Sequence, residues 1–379
     1  MPDGIAAARN VAEAVLAELA RRGTRRVWGV PGGGSSLDLI AAMPRFGVEF
    51  VLTRHEGAAA MAAVADAELT GAPGAVLTTK GPGLANAVNG LACATLERAP
   101  VLLISDGFTD AQLSYVTHQV FDQRAATAAV VKGYGRGECG VAALLDLAAA
   151  APRGAVHLDL TSEVARRAPV ASAPYASEPT APDVGDAAAL LRAARKPVIL
   201  AGLEAAEPEA AEAVRALAEA LRCPVLVTYK AKGVLPDSHA LFGGIFTGGT
   251  LEAPLVGAAD LIIGAGIDPV ELILQPWRYH APILDVAVRP HPVRYAEPAA
   301  ARHGPVAASM RALLHAATRS EWTTSEIAAH RDAALAALAW RGTGGVAPPA
   351  VVRIAQAEAR AAGRAPRVTV DAGAHMFSA

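Results

Sequence analysis

Glu56 is a lone carboxylate in the run Thr53-Arg54-His55-Glu56-Gly57-Ala58-Ala59-Ala60-Met61-Ala62-Ala63. The residues before it, Phe50-Val51-Leu52, read as the end of a buried strand, and the alanine run after it reads as a helix. Glu56 therefore stands at a strand-to-helix junction, followed by small and apolar residues as far as Asp66. A carboxyl group in such surroundings is suited to sharing a proton in acid–base chemistry. The plainer role is a helix-start carboxylate that complements the macrodipole.

Two other junctions have the same form. Val27-Trp28-Gly29-Val30-Pro31-Gly32-Gly33-Gly34-Ser35-Ser36 is a strand entering a glycine-rich turn, with a helix over Leu37 to Met43. Gly32 and Gly33 either let backbone amides approach a reacting centre or supply a turn with positive φ. Val76-Leu77-Thr78-Thr79 then leads through Lys80 and Gly81-Pro82-Gly83 into a small-residue helix that carries Asn86. Asn86 is a polar group for a ligand or an N-cap-like residue. A fourth segment, Thr117-His118-Gln119-Val120-Phe121-Asp122-Gln123, alternates polar and aromatic residues after a loop. It offers His118 as a candidate acid or base and Gln119 as a candidate amide; a loop histidine is the alternative for His118.

The elements that position these residues are βα units. Val101-Leu102-Leu103-Ile104-Ser105-Asp106 is a further continuous apolar strand, and Ala155-Val156-His157-Leu158-Asp159-Leu160 reads as the last of the first domain. Such units build parallel sheets, with ligands at the strand C-terminal ends. An amphipathic helix over Ile5 to Arg22, stopped by Gly23, precedes them. Pro169, Pro174, Pro179 and Pro182 mark an extended linker. A second strand–helix domain follows, then a helical polar stretch over Ser320 to Arg341, a helix over Val351 to Ala362 and a strand at Val368-Thr369-Val370. The expected divisions are 1–167, a linker at 168–183, 184–316, and 317–379. Gly264-Ala265-Gly266 after Leu261-Ile262-Ile263 lacks the third glycine of a dinucleotide fingerprint and reads as a tight turn.

Composition sets the bounds. The 379 residues carry 34 basic and 36 acidic side chains, a net charge of −2, which gives no reason to expect nucleic acid or an anionic membrane as partner. No apolar run reaches the ~20 residues of a membrane span, and the N-terminus has no secretory signal pattern. Cys93, Cys139 and Cys223 are odd in number and widely spaced. They suit buried small hydrophobes in a reducing, cytoplasmic compartment, with neither zinc spacing nor a disulfide framework.

Taken in order, Gly29-Val30-Pro31-Gly32-Gly33, His55-Glu56, and Gly81-Pro82-Gly83 with Asn86 resemble the pyrimidine-binding domain of thiamine-diphosphate enzymes, in their acetolactate synthase-like group. Arg195-Lys196-Pro197-Val198-Ile199-Leu200-Ala201-Gly202, Cys223-Pro224-Val225-Leu226-Val227-Thr228, Lys232-Gly233-Val234-Leu235-Pro236 and Ala259-Asp260-Leu261-Ile262-Ile263-Gly264 resemble the family's central domain. Val368 to His375 resembles the opening of its diphosphate-binding domain. The fold implied is α/β, with parallel-sheet three-layer domains: a thiamine-diphosphate-binding fold plus a Rossmann-like central domain.

The resemblance implies that Glu56 hydrogen-bonds the aminopyrimidine ring of thiamine diphosphate and promotes proton removal from the thiazolium C2. Pro31, Gly32, Gly33, Gly81, Pro82, Gly83 and Asn86 would line the cofactor, and His118 and Gln119 would face a 2-oxo acid substrate. Decarboxylation or carboligation would follow. A homodimer or tetramer is implied, or a complex with a separate diphosphate-domain subunit. Mg²⁺ is implied too, but Gly373-Ala374-His375 is not the Gly-Asp-Gly motif that would hold it, so its ligands are expected outside this chain. Three departures stand out. Ala65-Asp66-Ala67-Glu68 replaces a Gly-Tyr-Ala-Arg-like run, Lys80 replaces a small residue, and Ile267-Asp268-Pro269 replaces the flavin-side Arg-Phe-Asp-Asp-like run, so FAD is not expected. The chain alone is expected to be inactive; the alternative is a non-catalytic truncated paralogue or assembly subunit.

Overall fold

Continuous apolar runs generate two parallel sheets, because a strand covered by helices on both faces has no solvent side to make polar. The computed structural model describes residues 7–136, 140–169, 185–271, 273, 275–339, 341–342, 344–365 and 368. The chain divides into two compact units, Met1–Pro179 and Thr180–Ala379. Among the described residues no helix is long and apolar enough to cross a membrane.

Unit 1 runs α1 (Val11–Arg21), β1 (Arg26–Val30), α2 (Ser35–Ala42), β2 (Glu49–Leu52), α3 (Glu56–Thr70), β3 (Gly74–Thr78), α4 (Pro82–Leu96), β4 (Val101–Asp106), α5 (Asp110–Leu113), α6 (Gln123–Thr127), β5 (Gly133–Arg136), α7 (Val141–Ala149), β6 (Ala155–Leu160) and α8 (Ser162–Ala165). The sheet order is β2-β1-β3-β4-β6-β5, and every pairing is parallel. Strands β3, β4 and β6 are buried along their whole length.

Three expectations change here. The first helix begins at Val11, because the Asn10 side chain accepts from Glu13 N at 2.9 Å and caps it there; the expected start at Ile5 lies outside the described residues. Strand β2 is an edge strand, so Leu52 is 69% exposed rather than buried. Strand β5, Gly-Tyr-Gly-Arg, has no apolar run to announce it. Cys223 is buried as expected, Cys93 is only half-buried, and Cys139 lies outside the described residues.

Unit 2 runs α9 (Gly185–Ala193), β7 (Pro197–Ala201), α10 (Pro208–Leu221), β8 (Val225–Val227), β9 (Phe242–Ile245), α11 (Ala253–Gly257), β10 (Leu261–Ala265), β11 (Ile283–Ala287), β12 (Ala300–His303), α12 (Val306–Leu313), α13 (Thr324–Ala337) and α14 (Pro348–Ala361). Its sheet, also wholly parallel, has the order β12-β11-β10-β7-β8-β9. Helix α10 buries Ala210, Ala213, Val214, Leu217, Ala218 and Leu221, the stripe expected of a helix lying on a sheet. Packing continues past residue 316: Trp322 is buried and donates its Nε1–H to the Pro197 carbonyl at 2.8 Å, and Ile327 is fully buried. The expected linker from 170 on, and the Thr369–His375 part of the third-domain segment, lie outside the described residues.

One contact in unit 1 fixes the geometry of the site. Helices α3 and α4 follow strands of one parallel sheet and run in the same direction. Ala60 and Gly90 meet so closely that a Cβ on Gly90 would lie 2.2 Å from the Ala60 Cβ. Glu56 and Asn86 each stand four residues, one turn, before that contact. A side chain at position 90 must push the two helices apart. Gly90→Val is therefore expected to destabilise the protein by about 2–3 kcal/mol through overpacking. Urea unfolding at constant m-value measures this, and an unchanged midpoint would show that the helices are not held at this distance.

Candidate functional site

The site lies at the C-terminal end of the unit 1 sheet. The chain goes from β1 to neighbour β2 on one side and then to β3 on the other, so the topology reverses between β1 and β3. Ligands of open parallel sheets bind at that reversal. The Pro31-Gly32-Gly33-Gly34 loop follows β1 and the Gly81 turn follows β3.

Glu56 is the first residue of α3 and is 8% exposed. His55 caps the helix, its Nδ1 accepting from Gly57 N at 3.0 Å. Asn86 donates its Nδ2–H to Glu56 Oε2 at 2.9 Å. This corrects the N-cap-like alternative for Asn86. Gly81 is the N-cap of α4, and Asn86 lies inside the helix with its amide turned onto Glu56. The other oxygen, Glu56 Oε1, faces Gly83, where a Cβ would stand 3.1 Å away. Pro82 starts α4, at the position where its missing N–H costs nothing.

Gly81 has φ 61° and its N–H donates to Gln123 Oε1 at 2.7 Å. A Cβ there would meet the Gln119 carbonyl oxygen at 2.3 Å, so the turn and the Gln119 loop close on each other only through glycine. In the first loop the positive φ falls on Gly34, at 69°, and not on Gly32 or Gly33 as the turn alternative required. Gly32 is needed for close approach instead: a Cβ would stand 2.3 Å from Thr79 Oγ1 and 2.5 Å from Asp106 Oδ2. Gly33 has open space at its Cβ position.

Gln119 itself has φ 60° and lines a cleft of about 560 Å³ together with Lys80, Phe121, Gln123, Arg124 and Arg136. Phe108 also lines it, and Lys80 Nζ lies 4.8 Å from the Phe108 ring centroid. Arg124 lies over Tyr134 at 5.5 Å. Arg136 is tied to Asp110 at 2.6 Å and to the Phe108 carbonyl at 2.7 Å. Asp122 and Asp159 line it too, so the cleft carries charges of both signs beside aromatic surfaces. His118 is exposed on the same loop and is not among the residues that line the cleft.

Below the cleft lies a polar layer that the motifs did not disclose. Asp106 ends β4, is 1% exposed, and accepts from Ser35 Oγ and from Ser36 N, the latter at 2.9 Å. Burial pushes its carboxyl above the usual range. Gln123 donates to the Asp106 carbonyl at 3.1 Å while holding Gly81. His157, fully buried, shares hydrogen bonds with Ser105 Oγ at 2.8 Å and Thr127 Oγ1 at 3.1 Å. Burial pushes its imidazole down to about 4. Asp159 accepts from Tyr134 OH at 3.1 Å, and burial raises its carboxyl too. A sequence signal existed for these residues. Asp106, His157 and Asp159 are polar interruptions in otherwise apolar strands, which a sheet tolerates only with partners.

A parallel α/β unit with a buried helix-start carboxylate facing a glycine turn at the topological reversal is a ligand-binding domain, its site made from loops after the strands. Sequence comparison narrows that class. The family described as thiamine pyrophosphate enzyme, N-terminal TPP binding domain, matches residues 9–128, and its central domain matches residues 184–314. The acetolactate synthase of Bacillus subtilis (strain 168) is 31% identical over 285 residues, covering 70% of this chain and 49% of that protein. A probable 2-ketoarginine decarboxylase of Pseudomonas aeruginosa is 30% identical over 295 residues, 73% of this chain and 52% of that protein. The 2-hydroxyacyl-CoA lyase of Oryza sativa subsp. japonica is 31% identical over 276 residues, 66% and 47% respectively. The chain belongs to the thiamine pyrophosphate enzyme family and to its acetolactate synthase-like members. It spans about half the length of these relatives.

His157 provides a pH test of the polar layer. Its folded pKa, about 4, lies below the ordinary 6.5, so the unfolded chain binds the proton more readily. Stability from this residue is therefore present above pH 6.5 and lost as pH falls toward 4. The raised carboxylates Asp106 and Asp159 act in the opposite sense, so the comparison must isolate His157. Relative to His157→Gln, the natural protein should lose about 3 kcal/mol between pH 6.5 and 4. Urea unfolding of both proteins across that range measures it; parallel curves would mean that the imidazole is not held neutral.

Proposed function

We propose that this chain supplies the aminopyrimidine half of a thiamine-diphosphate site that acts on 2-oxo acids, as a decarboxylase or carboligase. The observation that carries the reading is Glu56: a buried carboxylate with one oxygen engaged by Asn86 and the other facing Gly83. The residues fit the cofactor, because the carboxylate is already oriented and the Gly81-Pro82-Gly83 turn keeps side-chain bulk away from it. Pro31, Gly32, Gly33, Gly81, Pro82, Gly83 and Asn86 would form the walls of that half-site. Bound thiamine diphosphate supplies the electron sink for cleaving the bond beside a 2-oxo acid's carbonyl.

The chain's own residues have separate tasks. Glu56 would hold a proton at the aminopyrimidine ring nitrogen, with Asn86 fixing the carboxylate so that only Oε1 is offered. The open face at Gly33 would let the backbone approach the reacting centre. Gln119, with Lys80 and Arg124 of the same cleft, would orient the substrate carboxylate. His118 is the proton donor or acceptor proposed for the same loop. Mg²⁺ and the diphosphate would be held by a diphosphate-binding domain outside the two matched regions, in a homodimer, a homotetramer or a complex with a separate subunit. FAD has no part in the proposal. The wide cysteine spacing supports a cytoplasmic setting.

Thiamine diphosphate with Mg²⁺ should bind, by calorimetry, to the chain combined with a diphosphate-binding domain. In that assembly Glu56→Gln should slow C2-proton exchange of the bound cofactor by about 10²-fold or more, with the circular dichroism unchanged. Asn86→Ala should slow it about tenfold, the loss of one hydrogen bond to a charged group. Exchange at the natural rate in Glu56→Gln would remove Glu56 from the mechanism. Failure of the cofactor to bind in any combination would leave a non-catalytic assembly subunit.

A further inference from the structure

Unit 2 has its own topological reversal, between β7 and β10. Strand β7 leads to β8 and β9 on one side, while β10, β11 and β12 extend the other. Glu204 follows β7, Asp268 follows β10 and His291 follows β11. Each offers one ligand atom, and these atoms all lie within 4.8 Å of one another. Glu204 Oε1 stands 3.6 Å from His291 Nε2. Donors around a tetrahedral ion with metal–ligand bonds of about 2.0–2.1 Å are roughly 3.4 Å apart, so small rotations complete the set. Asp268 and His291 are 1% and 7% exposed.

The backbone already orients both carboxylates. Glu204 Oε2 accepts from Val288 N at 2.7 Å, and Asp268 Oδ1 accepts from Val270 N at 2.9 Å. Outer hydrogen bonds of this kind hold metal ligands in place.

The same crevice is unsuited to a phosphate. Amides at the ends of such strands commonly cradle phosphate oxygens. Here Glu271 Oε1 takes the Leu203 and Asp268 N–H groups, each at 3.0 Å, and its Oε2 accepts from Thr228 Oγ1. Internal carboxylates therefore occupy the anion-binding amides and make the crevice negative. Asp285 adds a further carboxylate beside Glu204 and Asp268, with Arg289 as the nearby opposing charge. A cation relieves this accumulation, and an anion adds to it.

We infer that Glu204, Asp268 and His291 bind one divalent metal ion at the reversal point of the unit 2 sheet. Two carboxylates and an imidazole suit Zn²⁺ or Mn²⁺ better than Ca²⁺ or Mg²⁺, which take oxygen ligands. The ion would tie together the ends of β7, β10 and β11. The inference is independent of the thiamine reading, since it uses only unit 2 residues.

The test uses the full chain, stripped with a chelator and kept free of thiamine diphosphate and Mg²⁺. Equilibrium dialysis with Zn²⁺ should give one ion per chain. Asp268→Asn, His291→Gln and Glu204→Gln should each weaken binding at least tenfold, and the rise in Tm on adding Zn²⁺ should disappear with it. Glu204→Gln keeps an acceptor for Val288 N–H and so guards against a folding artefact. Pulsed electron paramagnetic resonance of Mn²⁺ in the natural chain should show one coupled imidazole nitrogen, a readout that needs no variant. Uptake below one ion, uptake equal in all three variants, no nitrogen coupling, or stoichiometric binding of ADP or FAD at this crevice would each overturn the assignment.

Discussion

The approach of Ala60 to Gly90 is the constraint on which the unit 1 site depends. Two parallel helices can come this close only where one lacks a Cβ and the other carries nothing beyond it. The alanine run of α3 has this origin: Ala59, Ala60 and Ala63 are all fully buried, facing α4 or β3. One turn above the contact, the same spacing brings one carboxylate and one amide into hydrogen-bond contact. Glu56 and Asn86 are thus a consequence of helix packing as much as of their own chemistry. The small residues below determine where the Glu56 carboxylate points.

The polar layer beneath the cleft meets a different requirement. Loops after the strands must be held without adding bulk where a ligand sits, so they are held from below. Asp106 receives the start of α2 through Ser35 and Ser36. Gln123 grips the Gly81 amide and the end of β4 together. His157 bridges β6 to β4 and α6 through Ser105 and Thr127. A buried network is worth its desolvation cost only when its members are satisfied. Most of these atoms are; the exceptions, Asp106 Oδ2 and Asp159 Oδ1, lie closest to glycines, Gly32 and Gly107. Those glycines leave the carboxylates room that a Cβ would take.

Much of this was legible in the sequence, for identifiable reasons. Apolar strands ending in glycine turns specify parallel βα units locally, so β1, β3, β4, β7 and β10 could be read directly, and β6 from its apolar run alone. The place of Glu56 at a strand-to-helix junction was legible because strand and alanine run meet there, a position that complementing the macrodipole would also explain. Strand β5 was not, since Gly133-Tyr134-Gly135-Arg136 becomes a strand only by pairing with β6. The burial of β2 was misjudged because edge position is a property of strand order, which no local pattern records. Asn86 looked like a cap because the turn preceding it is close in sequence; its partner lies 30 residues away on another helix. Gln123 escaped notice beside Gln119 because the two differ only in which way the loop turns them.

The two units also show how one topology serves opposite chemistries. Both sheets reverse their strand order once, and in both the reversal leaves a crevice between two strand ends that no crossover covers. In unit 1 that crevice is bordered by glycines, with open space at Gly33 and a cleft of mixed charge nearby. Its loop amides are held mainly by neutral side chains: Gln123 takes the Gly81 N–H and Ser36 Oγ takes the Gly32 N–H, while Asp106 takes the Ser36 N–H. In unit 2 the amides are taken by Glu271 and Glu204, and Asp268 and His291 crowd behind them. The parallel sheet determines where a ligand can sit in each unit. In both units the strand-end amides are answered from within, by neutral side chains and one aspartate in unit 1 and by glutamates in unit 2, and that choice of partner sets how much negative charge each crevice already holds.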